Sequence, residues 1–180
     1  KMRRFNYVNK VGIELEGGWI DPDFEIHGDG SVNVKSNIVG EIASPPIYPF
    51  KVEEWILKHH PDATNITAGT HVHISLKKVL HYARLMEPKF QKYLLNRLIL
   101  WGKATRIIAA HPFCKRLNGE NNFCKLKFIP EKQYLKKERH GERYTALNYT
   151  WARYGTIECR LLPAFKNKNI TAKAILEVIN

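Results

Sequence analysis

Long apolar runs are missing from this sequence. No stretch reaches the roughly 18 consecutive apolar residues that a membrane-spanning helix needs, so none is expected. The opening Lys1-Met2-Arg3-Arg4-Phe5 is basic, but neither an apolar run nor a small-residue cleavage site follows it, so no signal peptide is expected. Cysteine is scarce. Cys114, Cys124 and Cys159 form no CxxC pair and are odd in number. That argues against structural zinc and against a disulfide framework, and it fits a reducing cytoplasmic compartment. There is no GxxxxGK followed by Ser or Thr, no GxGxxG and no HExxH, so P-loop, Rossmann and zinc-peptidase readings lose their signatures.

Acidic residues are also few. Asp and Glu number 17 against 29 Lys and Arg, a formal charge of +12. A charge of that sign would ordinarily suggest a polyanionic partner such as nucleic acid. The distribution points elsewhere. Between Val11 and Phe50 stand seven acids (Glu14, Glu16, Asp21, Asp23, Glu25, Asp29, Glu41) and one base, Lys35. A basic chain that gathers its acids in one segment is expected to build a cation site there.

What is present is an ordinary globular composition, 44% hydrophobic over 180 residues, enough for one domain with its own core over residues 1–180. The last residues, Ala174 to Ile179, read as helix with no stop signal, so the natural chain is expected to run past Asn180. Residues 10–20, 24–34, 38–44, 64–76, 144–148 and 156–162 read as strands, with the turn signal Asp29-Gly30 inside the second. Residues 50–60 read as a short helix. Phe90, Leu94, Leu98, Trp101 and Ile108 recur at helical spacing, which predicts a long helix over about 87–110. Residues 112–142 read as loop with a short helix, and a last helix begins near Thr171. This order predicts an α+β fold with an antiparallel sheet.

Three strands share one design. Val11, Ile13 and Leu15 alternate with Glu14 and Glu16; Val72, Ile74 and Leu76 alternate with His71, His73 and Ser75; Ile157, Cys159 and Leu161 alternate with Glu158 and Arg160. Any half-buried strand alternates in this way. The kind of polar residue is less ordinary, because Lys is absent from all three polar faces of a Lys-rich chain. Carboxylates side by side repel unless a cation lies between them. Carboxylates with imidazoles suit Mg²⁺ or Mn²⁺, and Mg²⁺ held by carboxylates commonly carries substrate phosphates.

These segments resemble the amidoligase family, which groups with glutamine synthetases and glutamate–cysteine ligases. The resemblance rests on Gly12-Ile13-Glu14-Leu15-Glu16, Asp29-Gly30-Ser31, Gly40-Glu41-Ile42-Ala43-Ser44-Pro45, Gly69-Thr70-His71-Val72-His73-Ile74-Ser75, and Asn148 with Thr156-Ile157-Glu158-Cys159-Arg160, in family order over about residues 11–162. It implies a glutamine-synthetase-like catalytic domain, a curved antiparallel sheet with helices packed on one face. The implied activity is ATP-dependent joining of a carboxylate to an amine through an acyl-phosphate, on several Mg²⁺ or Mn²⁺ ions. By position it implies Glu14, Glu16, Asp29, Glu41, His71 and Glu158 as metal ligands and His73 and Ser75 near the nucleotide. It implies Arg160 on the substrate carboxylate, with Arg143 and Arg153 as candidates for the ATP phosphates.

Thr156 departs from the pattern, since glutamine synthetases carry an arginine there, and their lid inserts are not recognisable. Other readings stand beside this one: a basic nucleic-acid-binding protein, a two-metal phosphodiesterase or nuclease, and an inactive ligase-like domain. In the ligase reading the partners are a small-molecule or peptide carboxylate and an amine, with nucleic acid bound at most weakly. Arg160 has the simpler alternative of pairing with Glu158 or Glu16. Trp101 and Trp151 read as core. Lys115-Arg116, Lys125, Lys127, Lys132 and Lys136-Lys137-Arg139 read as a solvated basic face.

Overall fold

The computed structural model describes residues 7–78, 81–82, 87–126, 144–150 and 154–180. Arg143, Arg153, Trp151 and the basic residues between 127 and 139 lie outside the described residues.

Among the described residues the fold is α+β, built on five antiparallel strands. In chain order the elements are β1 (Val8–Trp19), β2 (Ile38–Ala43), a 3₁₀ turn (Pro49–Lys51), α1 (Val52–His59), β3 (Gly69–Leu76), α2 (Pro88–Ala104), α3 (Pro112–Leu117), β4 (Leu147–Tyr149), β5 (Ile157–Pro163) and α4 (Lys168–Ile179). The sheet order is β2-β1-β3-β5-β4. Thus β1, the strand with the Glu-x-Glu pair, lies between β2 and β3.

The alternation of the sequence becomes a division of faces. Val11, Ile13, Leu15, Val72, Ile157 and Cys159 are all essentially fully buried. They join one core with Val52 and Ile56 of α1, Leu94 and Leu98 of α2, and Ala172, Ile175 and Val178 of α4. The helices close this face because their own apolar stripes have no other surface to cover. Asn167 begins α4 by accepting from the backbone N–H groups of Asn169 and Ile170 at 2.8 and 3.2 Å, an N-cap that starts the helix a few residues before Thr171.

Three expectations need correction. Residues 24–34 form no strand. Asp29 Oδ1 accepts from the N–H and Oγ of Ser31 at 2.8 and 2.7 Å, and this local turn takes the chain out of extended geometry. One bridge survives, His27 with Glu41. The long helix ends at Ala104, not near 110, because the Thr105 hydroxyl bonds the Trp101 carbonyl at 2.8 Å and Arg106 turns to φ 58°. Ile108, read as part of the helical stripe, is therefore beyond the helix and exposed.

Candidate metal centre and cavity

The opposite, polar face of the sheet is read off the register. Glu16 lies across from Glu41, Glu14 across from His71, and Gly12, His73, Glu158 and Asn148 form a row over four strands. Side chains from five separate segments of sequence thus arrive on one surface. Gly12 has a steric role in that row, since a Cβ there would sit 3.3 Å from His73 Cβ.

Glu14 is at the centre. Its Oε2 pairs with His71 Nδ1 at 3.0 Å and its Oε1 with His73 Nε2 at 3.1 Å. Burial pushes the Glu14 carboxyl up, but the hydrogen bonds and charges of the two imidazoles outweigh it and hold the group well below the usual carboxylate range. Burial lowers His73, but the Glu14 bond and the Glu14 and Glu158 charges win, and its pKa rises. His73 Nδ1 reaches Thr156 Oγ1 at 3.1 Å, and that hydroxyl reaches Thr150 Oγ1 at 2.8 Å. His71 stands between the acids, 3.7 Å from Glu16 Oε1 and 3.5 Å from Glu158 Oε1. Glu16 itself accepts from the Gly69 N–H at 2.6 Å.

Two groups of donors are near enough to share a cation each. Glu14, His73 and Glu158 offer atoms all within 4.8 Å of one another, and so do Glu16, Asp29 and Glu41. Asp29 reaches the second group from the turn beyond β1, because Gly40 lets the 27–29 backbone lie directly on β2: a Cβ at Gly40 would be 2.1 Å from the His27 carbonyl oxygen. Glu41 shows what the crowding costs. Burial and the charges of Glu14, Glu16 and Asp29 raise its pKa against the opposing pull of His71. A carboxylate destabilised by neighbouring carboxylates is one that a divalent cation would relieve.

A cavity of about 410 Å³ is lined by the second group and by Glu14 of the first. Its lining combines the acids Glu14, Glu16, Asp29 and Glu41 with Arg116, Arg160, Phe123 and Tyr144. Arg160 pairs with Glu158 Oε1, donates through Nε to the Phe123 carbonyl at 3.1 Å, and lies 5.5 Å over the Tyr144 ring. The two residues, predicted to rise from one side of β5, do so and meet as an ion pair. Asn148, part of the motif pattern but given no role, donates to Glu158 Oε2 at 2.7 Å. Ser75 is elsewhere: its hydroxyl accepts from Lys10 N and donates to Lys10 O across a bulge in β1, away from the cavity lining.

Arg116 overturns the reading of Lys115-Arg116 as a solvated face, since its side chain is only 3% exposed. The sequence held a signal for this. Phe113, Arg116 and Leu117 follow the i, i+3, i+4 spacing of one helix face, and all three are buried.

Comparison with known protein families, with curated proteins and with solved structures finds no match. Fold and site together define a class: an α+β protein whose antiparallel sheet presents carboxylates and imidazoles able to hold a metal ion.

Proposed function

We propose that this protein is an ATP-dependent carboxylate–amine ligase of the glutamine-synthetase type, using Mg²⁺ or Mn²⁺ on the polar face of the sheet and working in the cytoplasm. The observation that carries the reading is the pair of donor groups, Glu14/His73/Glu158 and Glu16/Asp29/Glu41, of which Glu14, Glu16, Asp29 and Glu41 line one cavity together with Arg116 and Arg160.

The donor set fits the ion. Carboxylate oxygens with one imidazole are hard-to-intermediate ligands, and Glu41 is raised by burial first and then by the neighbouring carboxylates. When bound, the metal would neutralise the charge of the triphosphate and align it for transfer. The residues of the chain account for the rest. Arg160 offers a planar fork to the substrate carboxylate. Phosphoryl transfer from ATP to that carboxylate makes an acyl-phosphate and ADP; attack by a neutral amine then forms the amide and releases phosphate and a proton. The amine wins over water to the extent that solvent is kept from the acyl-phosphate.

The test is incubation with ATP, Mg²⁺ and pooled amino acids and polyamines. ADP and phosphate should appear together with a new amide mass. ATP consumed with no amide from any pool would remove the ligase reading. Two neighbouring carboxylate groups also suit two-metal phosphodiester hydrolysis, so cleavage of a nucleic acid or dinucleotide in the same assay would favour that chemistry instead.

A further inference from the structure

Arg116 is a buried charge among the described residues to which the proposed function gives no role. Its side chain is buried to 3% exposure, yet no carboxylate of the described residues pairs with it within 4.0 Å. Its hydrogen bonds go to neutral groups: Nη1 to the Arg160 carbonyl at 2.9 Å and Nη2, at 3.5 Å, to the Ala68 carbonyl. Two carbonyls orient a guanidinium but do not cancel its charge. Cys124 and the Glu16 carboxylate favour its charge from nearby, but burial outweighs them; a cation buried in this way would be relieved by an anion that reaches it.

Its surroundings say from which side. Arg116 lines the cavity, and Arg160 lines it too. Burial works against the charged form of Arg116, Cys124 and Glu16 offset it in part, and the neighbouring Arg160 guanidinium adds repulsion. Arg160 already shares the Glu158 carboxylate. The packing of α3 holds Arg116 in this exposed electrostatic situation. Phe113 is fully buried edge-on to Trp101 with centroids 5.5 Å apart and tilted on Phe165 at 5.6 Å. Pro112 opens the helix and the His111 ring accepts from Phe113 N, so one short turn has a fixed orientation.

We propose that Arg116, with Arg160, forms an oxyanion subsite in this cavity, taking a carboxylate or phosphoryl group, and that a cation bound among the carboxylates of the lining strengthens it. The first half stands on the two arginines alone. The second half rests on the cation reading given above, because Glu14, Glu16, Asp29 and Glu41 would repel an anion until their charge is offset. Anion and metal are then coupled, and each must strengthen the other by the same factor.

Calorimetric titration tests both halves with monofunctional probes, methylphosphonate for the phosphoryl group and propionate for the carboxylate. Each is titrated with and without Mn²⁺ into the wild type, Arg116→Met and Arg116→Lys. At least one probe should bind the Mn²⁺-loaded wild type, and its affinity should fall about tenfold in Arg116→Met and less in Arg116→Lys, with Mn²⁺ affinity in the absence of probe changed by no more than about twofold. The stronger probe identifies the group. Equal affinity in the wild type and Arg116→Met, or binding of neither probe, overturns the subsite. Should Arg116→Met fail to fold, Arg116→Lys decides by the same comparison, and slowed hydrogen exchange of residues 112–117 in the probe-bound wild type must accompany it. If Mn²⁺ does not bind at all, the cation reading and the coupling fall together, and the metal-free titrations alone judge Arg116.

Discussion

Glu14 gives each of its oxygens to a different imidazole, and through them it touches every other acid of the site except Asp29 and Glu41. The two imidazoles hold the Glu14 carboxylate by hydrogen bonds at 3.0 and 3.1 Å. Glu14→Gln keeps the shape and removes the charge. The expected result is a loss of Mn²⁺ affinity of about 10–100-fold by calorimetry, the range seen when groups around a metal ion are altered. An unchanged affinity would mean that the ion, if bound, sits elsewhere. The cysteines give an independent check on the packing. Burial pushes Cys159 up to about 12 and also raises Cys124, while Cys114 is only half-buried. Thiolate is the reactive form. A thiol-specific reagent at mild pH should therefore label Cys114 quickly and the other two only after unfolding; three fast thiols would contradict the buried positions of β5 and of Cys124.

At the scale of elements, the division between what the sequence disclosed and what it concealed has a physical origin. β1, β3 and β5 were legible because one face of each is buried, and burial on one face leaves a period of two in the sequence. The site residues on their other faces came with them, placed by the same period. The 24–34 segment looked extended, but the local Asx turn at Asp29 breaks it, and its single bridge to Glu41 is decided by a contact across the chain. Arg116 was hidden by composition. Among so many lysines and arginines, a six-residue helix leaves barely two turns of periodicity to mark one of them as inward.

Both concealed elements make predictions. Gly40→Ala should push the His27 carbonyl off β2, costing about 1–3 kcal/mol in denaturant unfolding by overpacking. Because Asp29 travels with that backbone, Mn²⁺ stoichiometry should fall by one site while the Glu14/His73/Glu158 group keeps its ion. Retention of both ions would show that Asp29 is not needed. Phe113→Ala should cost about 3–5 kcal/mol, since the ring is fully buried against Trp101 and Phe165 and sits 3.0 Å from where a Cβ on Gly102 would be.

Over the whole molecule, the chain carries +12 and yet turns a cluster of acids inward to one cavity. The two facts make opposite demands on partners, and stability measurements separate them. A cation that binds only the folded state stabilises it by about 2.7 kcal/mol at a concentration one hundred times its dissociation constant. For a chain of this length each kcal/mol raises Tm by about 2–4 °C, so saturating Mn²⁺ or Mg²⁺ should raise Tm by roughly 5–10 °C. The rise should persist in about 0.2 M salt, because Glu16 and Glu158 are buried and poorly screened. The basic exterior should behave in the contrary way. Duplex DNA or RNA should bind weakly, without sequence preference, and be released over the same salt range, because such binding is driven by counterion release. The decisive comparison is a melting series in one salt gradient with metal, with nucleic acid and with a Glu14→Gln/Glu41→Gln variant. Metal should stabilise the wild type across the gradient and leave the variant unmoved. If instead the variant gains as much as the wild type, the cation is acting on the general surface and the acid cluster is not its site. If nucleic acid stabilises the protein and survives the salt while metal does nothing, the exterior charge is the functional surface and the nucleic-acid reading replaces the ligase.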